Sequence, residues 1–210
     1  MLTGKIVGRG IGWFFFALLA IGVGLYPLLY FFVERDFGLL STKPPDLLRN
    51  SYWNAGFYTH IIFGGVALLV GWTQFIRVLR TGYLAVHRFL GKVYVASVML
   101  SAPAGIAIGI YATGGFVAAV GFICLGIVWF STTLVAFLRV RQGKTIAHQK
   151  WMIFSYAACF AAVTLRLWLP LLTNLAGDFN AAYRIVAWIC WIPNLVLAYF
   201  FSRSLPGTSR

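Results

Sequence analysis

The side chains with chemistry to offer are few, and most sit in long apolar runs: His60, Gln74, His87, Ser101, His148, Ser155, Arg166 and Asn194. Steps of four and three connect His60, Gly64, Ala67, Gly71 and Gln74, and likewise His87, Gly91, Tyr94, Val98, Ser101 and Gly105. A third stripe runs through His148, Met152, Ser155, Cys159, Ala162 and Arg166. On helices each set shares one face, and its small residues let neighbouring backbones approach. His87 and His148 open their segments beside basic clusters, whereas His60 enters from the other side. At about 1.5 Å per residue the two layers lie on the order of 25 Å apart. One metal ion held by all three histidines is excluded; a His87–His148 pair is not. Two imidazoles at one depth suit axial ligation of a haem b iron. Gly91 would leave room for the ring, and Arg88, Arg77, Arg80, Lys92 and Lys150 stand near for propionates. The alternative is two interfacial imidazoles, each bonded to a backbone carbonyl or a lipid headgroup.

Arg166 and His60 are expected at similar depth on the opposite side, lining a polar outer pocket with Asn54 and Tyr58. An arginine in lipid is costly unless paired, the other course being to snorkel past Trp168 to the headgroups. Asn194 follows Pro193, where a kink frees a carbonyl that the adjacent amide can satisfy.

The elements that must carry these residues follow from composition. The chain has 210 residues, 61% hydrophobic and 10% charged, with a mean hydropathy of +0.86. A soluble domain of this size cannot bury that much apolar surface. Apolar windows predict an all-α bundle of six transmembrane spans, over about 11–33, 56–79, 86–111, 116–138, 148–172 and 183–201. The first, preceded by Lys5 and Arg9, is too long for the apolar core of a cleavable signal and reads as a retained anchor. The short Ala112–Gly115 connection predicts antiparallel neighbours. Basic residues alternate with the spans: Arg77 to Lys92, Arg139 to Lys150, and both chain ends are basic, while the other loops are mixed or neutral. The positive-inside rule then places both termini in the cytoplasm.

The net charge of +13 is thus a topology signal, and nucleic acid is not an expected partner; the lipid bilayer is. Cys124, Cys159 and Cys190 lie in apolar runs without metal-ligand spacing and read as buried thiols. Trp13, Trp53, Trp72, Trp151 and Trp168 fit interfacial belts. No confident span carries a carboxylate, which argues against a proton- or sodium-coupled carrier. Nucleophile, acid and base cannot meet at one depth, which argues against hydrolysis. Pro103-Ala104-Gly105 and Pro193-Asn194 are weak helix-break signals of the kind transporters use.

The run from His87 to Tyr94, His148-Gln149-Lys150-Trp151-Met152 through Tyr156, and Arg166-Leu167-Trp168 resemble a bacterial predicted-membrane-protein family, domain of unknown function 2306. The resemblance covers about 54–201 and implies a six-helix, multi-pass protein of the bacterial cytoplasmic membrane, with no established activity. More distantly, His60 through Arg77 and Arg80, then His87, is similar to the dihaem cytochromes b of the ascorbate ferrireductase type. That similarity implies His87 and His148 as ligands of a cytoplasmic-side haem and His60 as one ligand of an outer haem. The fourth span has no histidine to supply the other. Two functions are therefore weighed: a haem-b electron-transfer or haem-handling protein served by a quinone or other redox donor, and a cofactor-free transporter or accessory subunit of a larger membrane complex.

Overall fold

In hydrocarbon no water satisfies backbone N–H and C=O groups, so each apolar run must bond to itself as a helix. The computed structural model describes residues 2–32 and 38–205 and is helical throughout, with no strand among the described residues. Six segments are long and apolar enough to cross a membrane: Gly10–Phe32, Ser51–Phe75, Leu84–Gly109, Phe116–Arg141, Thr145–Ala176 and Phe179–Arg203. The helices that build them are α1 (Leu2–Leu25), α2 (Ser51–Gly71), α3 (Leu84–Gly109), α4 (Phe116–Arg141), α5 (Thr145–Cys159), α6 (Ala161–Ala176), α7 (Phe179–Ile189) and α8 (Ile192–Arg203). Short helical turns fill the connections. Glu34, Arg35 and Asp36, expected in the first loop, lie outside the described residues, as does Arg210.

The α2 and α3 stripes face each other as expected. A β-carbon on Gly64 would lie 3.2 Å from Ser101 Oγ, one on Gly105 2.6 Å from His60 Nδ1, and one on Gly91 3.3 Å from Gln74 Oε1. Gly71 lies against Tyr94 and Tyr156 in the same way. Each step along α2 is matched by an equal step back along α3, which is an antiparallel register set by glycines. Helix α1 joins through Gly24 and Gly65: a β-carbon on Gly65 would come 2.6 Å from the Gly24 carbonyl oxygen. The α3–α4 turn reverses the chain through Gly114 (φ +91) and Gly115 (φ +75), a left-handed conformation that glycine adopts without strain. Further contacts pair α4 with α5 and α7, α6 with α7, and α5 with α8.

Both later spans are broken, and the breaks satisfy one another. Pro193 cannot donate a backbone bond, and the sixth span splits between α7 and α8. Asn194 Nδ2 donates to Cys190 O (3.0 Å), Ala157 O (3.3 Å) and Thr164 Oγ1 (3.1 Å). Thr164 Oγ1 in turn donates to Cys190 O. Ala157 precedes the α5–α6 break at Phe160, so one amide covers carbonyls from both interrupted ladders. The self-satisfied kink expected at Asn194 is thus extended to a second helix. At Pro103 no break occurs, because α3 runs through it unbroken.

Candidate functional site

A cavity of about 490 Å³ opens among α1, α2, α3, α4, α6 and α7. It occupies the half of the bundle remote from the basic segments, the outer half under the positive-inside rule. Phe57, Leu68, Leu125, Trp129 and Leu165 give it mainly apolar walls. His60, Arg166, Lys43, Tyr26, Tyr30 and Tyr183 bring polar atoms into the same space.

Helix geometry explains the placement. On α2 the lining residues Trp53, Phe57, His60, Ile61 and Gly64 recur at helical spacing. The helix begins at Ser51, earlier than hydropathy alone indicates, so His60 lies about two and a half turns into it. Ser101 Oγ donates to His60 O at 2.9 Å, and the imidazole Nδ1 lies 3.0 Å from Ser101 O. A carbonyl only accepts, so Nδ1 carries the proton and a neutral ring keeps its lone pair on Nε2. Gly105 provides the space for the ring.

Arg166 turns into the cavity. Helix α6 continues to Ala176, ten residues beyond it, which leaves the guanidinium about 15 Å inside the helix end. Its Nη1 donates to Ala162 O at 2.8 Å, and its Cζ lies 4.4 Å from the centre of the Tyr26 ring, a cation–π arrangement. The ring is offered where Pro27 turns the first span into a short 3-10 stretch, Tyr26–Leu28. At the rim, Lys43 Nζ donates to Tyr111 O (2.5 Å) and Thr113 Oγ1 (3.0 Å), tying the first loop to the α3–α4 turn.

His60 and Arg166 both line this cavity. Asn54 and Tyr58 do not line it. Asn54 Nδ2 donates to Leu48 O (2.7 Å) and Asn50 O (3.0 Å), closing the start of α2. Tyr58 turns to Phe31, ring centres 5.5 Å apart. In their place stand Trp53, Tyr26, Tyr30, Lys43 and Tyr183. Trp53 was assigned to an interfacial belt; it is buried, and its Nε1 has no hydrogen-bond partner among the described residues. The α2 spacing could have found it, since it lies two turns before His60.

On the opposite side, His148 stands close enough for its charge to reach His87. His148 Nδ1 donates to Ala136 O at 2.9 Å, which leaves Nε2 as the lone-pair nitrogen. His87 Nδ1 is buried without a hydrogen-bond partner among the described residues. Arg88 is exposed at the helix start. The room expected beside Gly91 for a flat ring is taken by the Gln74 carboxamide. The imidazoles thus offer nitrogens of the right kind, and the packing beside Gly91 does not fit a porphyrin unless Gln74 turns away. No group of three or more His, Cys, Asp or Glu side chains able to hold a metal occurs among the described residues. The thiols of Cys159 and Cys190 are buried, as expected, whereas Cys124 is only half-buried.

Between the two sites the core is knit by hydroxyls. Ser155 Oγ lies 2.7 Å from Tyr94 Oη and 2.6 Å from Thr133 Oγ1, Trp129 Nε1 donates to Tyr94 Oη at 3.4 Å, and Tyr156 Oη donates to Leu68 O at 3.0 Å.

A family model described as Predicted membrane protein (DUF2306) matches residues 57–202. The chain belongs to this family. The family match contains all three histidines and Arg166, while Tyr26, Lys43 and Trp53 of the cavity precede it. No curated protein and no solved structure matches the chain, so the likeness to dihaem cytochromes b gains no support from these comparisons.

Proposed function

We propose that this DUF2306 protein binds a small amphipathic molecule in the outer-half cavity and acts in the bacterial cytoplasmic membrane as a non-enzymatic binding or transport protein. The observation that carries the reading is the convergence of His60, Arg166 and Lys43 on one mainly apolar cavity of about 490 Å³. That volume lies within the roughly 300–1,000 Å³ typical of small-molecule sites, and a few polar groups in apolar walls is their usual construction. Native mass spectrometry of protein extracted in mild detergent tests it. A co-purifying small molecule is expected, and Leu165→Trp, which fills the cavity, should displace it. Identical spectra for the two proteins, with no adduct in either, would overturn the reading.

A second reading rests on His87 and His148. His87 Nδ1, buried with no partner among the described residues, and the lone pair left on His148 Nε2 support a ligand pair for haem b, provided that the Gln74 side chain turns away from Gly91. A haem so held would supply one-electron transfer at the side of the basic segments. An absorption spectrum of protein produced with haem present tests this: a Soret band lost in His148→Ala supports it, and a featureless spectrum opposes it.

A further inference from the structure

Arg166 carries a full positive charge inside a bundle whose solvent is hydrocarbon, and among the described residues none in contact with it carries the opposite charge. It meets the Ala162 carbonyl and the Tyr26 ring, both neutral. Among the described residues, Lys43 is the other cation of the cavity lining, and it is bonded to the Tyr111 carbonyl and the Thr113 hydroxyl. No carboxylate lines the cavity among the described residues. Asp178, near in sequence, is committed to capping α7, where its carboxylate accepts from Asn180 N (3.3 Å) and Ala181 N (2.8 Å). A guanidinium has five donors in a planar fork, and one carbonyl and a ring face leave most of them unused. Charge held away from water requires a counter-charge.

We infer that the occupant of the cavity is an amphipathic anion, its carboxylate or phosphate head paired with Arg166 and its hydrocarbon body lying along Phe57, Leu68 and Trp129. The inference rests on the cavity reading above and adds the head group. A fork of N–H donors matches two oxygens of one carboxylate or phosphate. Lys43 at the rim adds a second positive charge on the path of entry. A cationic amphiphile would meet repulsion from both residues, and a wholly neutral one would leave the guanidinium without a counter-charge.

The test compares binding of palmitate, lysophosphatidate, 1-hexadecanol, acetate and inorganic phosphate to the full chain in nanodiscs, read by quenching of tryptophan fluorescence and by thermal shift. At least one of the two anionic amphiphiles should bind about tenfold or more tighter than 1-hexadecanol. Arg166→Gln should abolish that preference, and Arg166→Lys should keep part of it, which guards against mere misfolding of the first variant. Acetate and inorganic phosphate separate the sources: binding of an amphiphile alone assigns the ligand to the bilayer, whereas equally tight binding of the small ions would show that the hydrocarbon body contributes nothing and would overturn the amphipathic part of the inference. Equal affinity for 1-hexadecanol and both anions would overturn the head-group inference while leaving the cavity reading intact. If no amphiphile bound and Leu165→Trp changed nothing, both would fall.

Discussion

The imidazole of His60 fills the space that a side chain on Gly105 would need, with Nδ1 2.6 Å from where that β-carbon would sit. The ring is held there by the Ser101 backbone, so it cannot move aside without losing a hydrogen bond. Gly105→Leu should therefore destabilise the α2–α3 pair by about 1–3 kcal/mol. Gly22 has nothing within 4 Å of the corresponding point, so Gly22→Ala should be neutral or stabilise by up to about 1 kcal/mol through helix propensity. Thermal unfolding of both variants in one detergent measures the contrast. Equal effects would mean that the two helices do not hold this register.

Asn194 should behave as a stitch between two broken spans. Asn194→Ala leaves the carbonyls of Ala157 and Cys190 short of a donor, at a cost of about 1–3 kcal/mol. Thr164→Val removes the other donor to Cys190. Because the two share an acceptor and bond each other, their effects should be non-additive in a double-mutant cycle. Strict additivity would show that the two breaks are independent.

The bundle was legible because lipid leaves so few options: hydropathy fixes the spans, and the helical repeat fixes their faces. Gly64, Gly71, Gly91 and Gly105 could be placed opposite side chains from spacing alone. The same repeat, carried further along α2, excludes Asn54 and Tyr58, which are turned about a third of a circle or more from His60 at 100° per residue, and selects Trp53 and Phe57. Ligand-like polarity outweighed periodicity there, and the assignment failed. Tyr26 and Lys43 come from other elements, and nothing local announces which helix face or loop they will meet. The break at Phe160 carries no proline or glycine beside it, whereas Pro103 leaves α3 intact. Only the tertiary partner Asn194 marks that break.

Topology gives a third prediction. Tyr111, in the turn that precedes α4, and Gln142, just after its end, lie on opposite sides of the bundle at exposed positions. With Arg139, Arg141 and Lys144 facing the cytoplasm, Tyr111→Cys in intact cells should react with a membrane-impermeant maleimide. Gln142→Cys should react only after the cells are opened. The reverse pattern would invert the bundle and place the cavity on the cytoplasmic side.

Lys43 links stability to pH. Partial burial pushes its ammonium down to about 8, against roughly 10.4 in an unfolded chain. Between these values the unfolded protein holds a proton that the folded protein has released, so unfolding free energy rises with pH across that window. Below about 8 both forms are charged, and the cost of burying the ammonium is fully present. Water at the rim screens the group, which limits the gain to on the order of 1 kcal/mol. Lys43→Met removes the titration, so its stability relative to the parent should be greatest near pH 7 and should shrink as the pH approaches 10. Melting curves of the two proteins in detergent over that range decide it: a difference that stays constant or grows with pH would mean that Lys43 is not held in the partly dehydrated rim where Tyr111 and Thr113 bind it.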